Sequence, residues 1–288
     1  MKPALRALDV QPCANAAPAV PARILRLVKS APERKALASG QVDAVIDRAN
    51  GAVFLLHEAR WAAVAVANRL LAALPQDEYQ RLLPGLDAVE LACGDVLHEP
   101  GQLIRHVYFP LAGLVSLLAL VEGHRALEVG LVGREGMVGI SLALGVDVSS
   151  VRAVVQGGGA ALRMTAARFR KELCASLALQ DEVYRFAEAT LSRANRNAAC
   201  HRFHVVEARL ARRLLTTGDA LRSDEFPLTQ AFLADMLGVR RVGITAAAGA
   251  LQRRKLIGYR HGSIRILDRK GLEAAACECY RIVRNDSR

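Results

Sequence analysis

The chain has 288 residues, 52% of them hydrophobic, with 39 Lys and Arg against 28 Asp and Glu for a formal net charge of +11. That length exceeds what one small core requires and predicts two domains plus an extension. The charge is uneven: residues 61–180 carry ten basic and eleven acidic side chains, whereas residues 200–270 carry fourteen basic and six acidic ones. An excess of eight positive charges beside a neutral neighbour points to a domain that meets a polyanion. Nucleic acid fits better than a membrane surface, because no long amphipathic basic helix accompanies the charge.

Residues 1–30 are rich in Ala and Pro and offer no stable period, so they are expected to be disordered or loosely attached. Four prolines and several polar residues interrupt them before any apolar run reaches signal-peptide length, so no secretion is implied. Residues 31–60 read as a short helix, a strand VDAVI, a turn at RANG and a second strand AVFLL. The longest apolar stretches, WAAVAVANRLLAAL and LAGLVSLLALV, fall short of the roughly twenty residues that a membrane helix needs. The six cysteines (Cys13, Cys93, Cys174, Cys200, Cys277 and Cys279) are dispersed, which reads as reduced thiols in a soluble, cytoplasmic protein.

From Asn68 the segment NRLLAALPQDEYQRLLPGL has helical spacing, with Pro75 starting a new short helix. Residues 88–164 then alternate short apolar runs with Gly or Pro, the pattern of an antiparallel sandwich or jelly-roll-like barrel. Helical spacing returns over residues 165–217. Within it Tyr184, Ala187, Leu191, Ala194, Ala198, His201 and Val205 fall at alternating intervals of three and four, the seam of a helix that pairs with a second copy or packs on its own roll.

The basic segment carries the clearest motif. Thr229 is placed to cap QAFLADML, Gly238 ends that helix, and VRRVGITAAAGALQRR resumes with Val239, Ile244, Ala248 and Leu251 as the expected buried side. Two short helices around a glycine turn make a helix-turn-helix, whose second helix offers its first residues to base edges in the major groove. Arg240 and Arg241 stand at that end. A guanidinium fork suits the O6 and N7 acceptors of guanine and also phosphate oxygens. Thr229, Gln230 and Thr245 join them as candidate DNA contacts. KLIGYRHGSIRIL follows as two strands joined at His261–Gly262, a wing that offers Arg260, His261 and Arg265 to the backbone or minor groove. Arg253, Arg254 and Lys255 at the helix end complement its dipole or touch phosphate.

At these residues the sequence resembles the Crp/Fnr family of bacterial transcription regulators. The resemblance covers about residues 68–285 and rests on CGDVLHEPGQLIRHVYFPLAGLVSLL, VGREGMVG, HVVEARLARRLL and LTQAFLADMLGVRRVGITAAAGALQRRKLI in that order. It implies an α+β chain: an N-terminal extension (1–66), an antiparallel, jelly-roll-like β-roll that senses an effector (67–180), a dimerisation helix (181–206) and a winged helix-turn-helix (207–288). It also implies a homodimer on a two-fold symmetric operator in double-stranded DNA, with RNA polymerase as a partner. A sensor whose winged domain binds protein is the alternative, but a protein-binding wing needs no such basic excess.

The sequence departs from the cyclic-nucleotide members. Where they carry Gly-Glu and Arg-Ser pairs, this chain has Gly139-Ile140-Ser141 and Ser149-Ser150-Val151, lacking a carboxylate and a guanidinium. Arg152 would need a register shift to face inward. These positions form the candidate effector pocket, the effector is unknown and cyclic AMP is not expected. The recognition helix also departs, with Val242 and Ala246 where those members have Glu and Arg. No cofactor or metal is expected: one cysteine in the first ninety residues does not support an iron-sulfur cluster. His201 and His204 lie one turn apart, which suits a metal or haem less often than an interface. Cys277 and Cys279, two apart in a helical stretch, are expected to face apart. No nucleophile motif, carboxylate pair or phosphate loop is present, and QGGGAAL has neither the lysine nor the setting of one, so an enzyme is not expected.

Overall fold

The computed structural model describes residues 44–47, 52–55, 68–122, 126–260 and 262–286. The expectations for residues 1–30, for the short helix before residue 43 and for the RANG turn lie outside them. The two short strands do form, β1 (Ala44–Asp47) and β2 (Ala52–Leu55), paired antiparallel with Ala44 opposite Leu55.

Asn68 starts the first large unit. Its side chain caps α1 (Arg69–Ala72) by accepting from the Leu71 amide at 3.2 Å, while Nδ2 donates to the carbonyls of Pro110 and Gly136, both at 2.9 Å. A fully buried amide is tolerated because its polar atoms are partnered. Pro75 precedes α2 (Gln76–Leu82), as its fixed φ favours.

The seven strands that follow make an antiparallel roll of two sheets. One is ordered β3 (Asp87–Leu91), β9 (Gly159–Thr165), β5 (His106–Pro110). The other is ordered β4 (Val96–His98), β8 (Arg152–Gly157), β6 (Leu114–Ala119), β7 (Leu127–Val132). Val107, Phe109, Ala153, Val155, Leu162 and Met164 point into one core, so the alternation in the sequence selects the inward face.

The helical period resumes with α3 (Ala166–Ala175), α4 (Leu177–Phe203) and α5 (Val206–Leu221). Gly136 permits α4 to sit on the roll, since a Cβ there would fall 1.9 Å from Phe186 Cε2. A second core holds the C-terminal unit. Leu210 and Leu214 of α5 pack with Leu233 of α6 (Gln230–Leu237), Ile244 and Leu251 of α7 (Arg241–Arg253), and Ile264 of a three-stranded sheet. That sheet is ordered β10 (Glu225–Pro227), β12 (Ser263–Ile266), β11 (Ile257–Arg260). α8 (Arg269–Ala275) and α9 (Cys279–Asp286) close the chain.

A buried polar cluster joins the two units. Arg213 of α5, 3% exposed at its side chain, lies 2.9 Å from Glu128 of β7, and Ser116 of β6 donates to the same Glu128 oxygen at 2.8 Å. Arg213 also donates to Gln156 of β8, and Gln156 donates to the Met236 sulfur of α6 at 3.2 Å. Burial pushes the Glu128 carboxyl up against the opposing pull of Arg213, and burial brings Arg213 down to about 10. Desolvating both charges offsets much of their attraction, so the pair fixes geometry more than it adds stability. Removing one partner strands the other, and Glu128→Ala is expected to cost about 3–5 kcal/mol in urea unfolding. Replacing both, as in Glu128→Leu with Arg213→Met, is expected to recover most of that loss. A single variant as stable as the unaltered chain would contradict the assignment.

Candidate nucleic-acid interface

The helix-turn-helix is built as its sequence signals require. The Thr229 hydroxyl accepts from the Phe232 amide at 3.2 Å and caps α6. Gly238 ends α6 at φ +60°, and a Cβ there would meet Leu127 Cδ1 at 2.8 Å, so glycine serves both the turn and the contact with β7. Arg209 of α5 donates to the Leu237 carbonyl, satisfying a terminal acceptor of α6. Arg240 is then the N-cap residue of α7 and Arg241 its first residue. Ile244, Ala248 and Leu251 are buried as expected, and Val239 is half-buried.

Arg240 and Arg241 are exposed, and among the described residues neither forms an ion pair. The other candidates gather around them. The Thr245 hydroxyl lies 2.9 Å from Gln230 Oε1 and 3.1 Å from the Arg241 carbonyl, linking the first turns of α6 and α7. The Leu228 amide donates to the Gly262 carbonyl at 2.8 Å, which sets the wing turn beside Thr229. Arg260 is exposed at the end of β11. Arg265 is exposed but pairs with Glu225 across the sheet at 3.4 Å, and Arg254 pairs with Glu207 at 2.7 Å. His261 lies outside the described residues. One exposed side chain is missing from the sequence-derived set: Val242, 72% exposed on α7. The helical period places it, with exposed Ala246, away from the buried side, where an apolar group can meet a thymine methyl.

The expected seam lies mostly on α4, with its larger apolar members uncovered. Tyr184 and Leu191 are 46% and 63% exposed, Ala198 is exposed, and Ala187, Ala194 and His201 are half-buried. The side of α4 packed within the chain is a different one: Leu179, Val183, Phe186 and Cys200. Val205 falls outside the helix, because α4 ends at Phe203 and Val205 is the N-cap residue of α5. Burial, then Arg209 and Arg212, bring His201 down to about 4, so it is neutral at pH 7.

Of the candidate effector residues, Gly139, Ile140, Ser141 and Ser149 line a cavity of about 30 Å³ together with Phe186 and Thr190 of α4. Ser150 is exposed instead, and Arg152 is tied to Glu99 at 2.8 Å. A partner on the neighbouring segment thus holds the guanidinium that was considered for the pocket. The space suits water rather than a nucleotide. A cavity of about 340 Å³, which the sequence did not signal, lies between the roll, α4 and the C-terminal unit. Arg69, Arg134, Arg193, Arg212 and Arg213 line it with Glu128, Glu135 and Asp219. Its lining comes from segments far apart in the chain, so no local motif marks it.

One cysteine expectation holds and one needs correction. Cys174, Cys200, Cys277 and Cys279 are free thiols, as expected. Cys277 and Cys279 converge instead of facing apart, because Cys277 precedes α9 and helical geometry does not apply to the pair. Of the two histidines, His204 and not His201 lies against them.

Residues 208–275 match the family model of the Crp-like helix-turn-helix domain. No curated protein matches the chain by sequence at a significant level. Among solved structures, a Crp/Fnr-family transcriptional regulator from Eubacterium rectale aligns with a TM-score of 0.60 at 17% identity, covering 73% of this chain and 98% of that one. The c-di-GMP-responsive global regulator CLP of Xanthomonas campestris aligns at 0.57 and 18%, covering 67% and 99%. A CRP/FNR-family regulator from Thermus thermophilus aligns at 0.53 and 25%, covering 66% and 98%. The chain has the fold of a Crp/Fnr regulator, with a Crp-like helix-turn-helix domain near its end. In that fold, CGDVLHEPGQLIRHVYFPLAGLVSLL supplies β4 to β6, and HVVEARLARRLL leads into α5. This is the architecture of a DNA-binding regulator. Among the described residues no helix is long and apolar enough to cross a membrane.

Within this Crp/Fnr fold the small cavity leaves no room for a cyclic nucleotide. Adding cyclic AMP to the full chain is therefore expected to leave Tm unchanged, whereas a ligand that bound the folded chain would raise it. A concentration-dependent rise that disappears when the small cavity is filled, as in Ser141→Leu, would overturn this account of the roll.

Proposed function

We propose that the chain is a sequence-specific, homodimeric transcriptional regulator that reads a two-fold symmetric operator in double-stranded DNA. The observation that carries this reading is the Arg240–Arg241 pair, exposed and without an ion pair among the described residues, at the start of the second helix of the helix-turn-helix. Other arginines of the C-terminal unit are held by carboxylates, Arg254 by Glu207, Arg265 by Glu225 and Arg269 by Asp219. Charge left unpaired at a helix end is available to an incoming acceptor. Arg241 reads a base edge, Arg240 reads a base or holds a phosphate, and Thr245, Val242 and Gln230 flank them. Thr229 and Arg260 lie along the phosphate backbone, and contact with RNA polymerase follows from the family likeness.

Dimerisation through α4 is supported by Tyr184, Leu191 and Ala198 standing uncovered along one side of a 27-residue helix. Its small residues would let two such helices approach closely. An effector response is supported by the 340 Å³ cavity. Five arginines against three carboxylates favour an anion, and Arg213 Nε and Nη1 are buried there without hydrogen-bond partners among the described residues. Such a ligand would act on the junction of roll and DNA-reading unit directly.

Selection of bound fragments from genomic DNA gives the operator, and binding to it is expected to weaken steeply as salt rises. Arg241→Ala is expected to lose about 1–3 kcal/mol of discrimination at one base pair per half-site. If the variant selects the same sequence with unchanged affinity, Arg241 is not a base reader. In sedimentation, Leu191→Asp is expected to convert a dimer into a folded monomer that no longer prefers two half-sites over one. A dimer unaffected by this change would place the interface elsewhere.

A further inference from the structure

The end of α4 and the turn before α9 bring four metal-ligating side chains together. Cys200 and His204 lie one turn apart at the end of α4, where the His204 amide still donates to the Cys200 carbonyl at 3.1 Å. Cys277 and Cys279 flank Glu278, and the Cys277 amide reaches the Ala208 carbonyl of α5 at 3.4 Å. We propose that Cys200, His204, Cys277 and Cys279 form a tetrahedral site for a thiophilic divalent cation of the zinc class.

Distance, burial and the surrounding hydrogen bonds agree with this assignment. All four ligand atoms lie within 4.8 Å of one another. Cys200 Sγ is 3.6 Å from Cys277 Sγ, and Cys279 Sγ is 3.7 Å from His204 Nδ1. A tetrahedral ion with bonds of about 2.3 Å to sulfur and about 2.0 Å to nitrogen sets those edges at roughly 3.8 and 3.5 Å. A four-iron cluster binds each thiolate to a different iron, and a two-iron cluster splits its four ligands between two irons. Both spread the ligand set more widely than one ion does, so four ligand atoms within 4.8 Å of one another fit a single ion. The three thiols are 0%, 7% and 5% exposed and form a small cluster of their own beside Ala208. His204 turns Nδ1 to the sulfurs while Nε2 lies 3.1 Å from Glu278 Oε1. A carboxylate on the second imidazole nitrogen fixes the tautomer that a metal ligand needs.

The site sits where it can control geometry. Residues 204 and 205 are the break between α4 and α5. An ion there ties the end of the long helix to the last segment of the C-terminal unit, and so restrains the angle at which α7 is presented. That consequence rests on the DNA-binding reading above; the metal site does not.

Cobalt(II) tests the two separately. The full chain, reduced and freed of metal by chelation, is titrated with cobalt(II) and then zinc. One equivalent per chain is expected to give thiolate-to-cobalt charge transfer and the intense visible bands of tetrahedral cobalt, both abolished by zinc. Binding replaces thiol protons, so proton release should accompany it. Cys277→Ser is expected to lose most of the charge transfer, whereas Cys174→Ser, which alters an exposed thiol outside the cluster, leaves the spectrum intact. Glu278→Gln keeps the ligands and is expected to weaken affinity about 10- to 100-fold. The proposal is overturned if the unaltered, reduced chain gives only the weak spectrum of octahedral cobalt. It is equally overturned if the bands survive Cys277→Ser, or if Cys200 and Cys277 prove to be an obligate disulfide. Metal binding without any effect on DNA affinity would keep the site and remove only its link to operator binding.

Discussion

Burying Arg213 against Glu128 makes the orientation of the helix-turn-helix unit a property of the roll. Arg213 belongs to the first helix of one unit and Glu128 to a strand of the other, and neither side chain can leave the contact without stranding its partner in a dry interior. Gln156 and Met236 extend the contact to α6, the helix on which α7 is mounted. A change in the sheet at β7 or β8 therefore reaches the helix-turn-helix through a short chain of fixed groups. The larger cavity is lined by both Arg213 and Glu128, so a guest there would meet the pair directly.

The arginines divide by what holds them. Those inside the chain are committed: Arg213 to Glu128, Arg209 to the Leu237 carbonyl, Arg152 to Glu99. Arg240 and Arg241 form no ion pair among the described residues, and their position at the amino end of α7 is fixed by Gly238 and the buried side of the helix. A rigid mount with uncommitted charge is what directional recognition of a polyanion requires, since a guanidinium already paired must first break that pair. The net charge of the segment says less than this distribution does.

The break between α4 and α5 is the second point of control. On one side of it stands a helix whose larger seam residues, Tyr184 and Leu191, are exposed among the described residues, and on the other the helix-turn-helix unit. Three buried thiols and an imidazole converge at this break, drawn from positions more than seventy residues apart. Together with the Arg213–Glu128 contact, they give the C-terminal unit two attachments, one to the roll and one to the long helix.

The sequence by itself determined what depends on neighbours along the chain. Alternation marked the roll, the three-and-four spacing marked α4, and Thr229, Gly238 and the Arg240–Arg241 pair marked the helix-turn-helix, because caps, turns and periodic faces are local stereochemistry. Local rules misled where a helix was assumed to continue: Val205 is past the end of α4, and Cys277 lies before α9. Only the tertiary structure decided that Arg152 pairs with Glu99 instead of facing the pocket, that Glu128 meets Arg213, and that Cys200 and His204 meet Cys277 and Cys279. Each of those contacts joins separate elements, and its partner is set by how the two cores pack, which no spacing within a single element encodes.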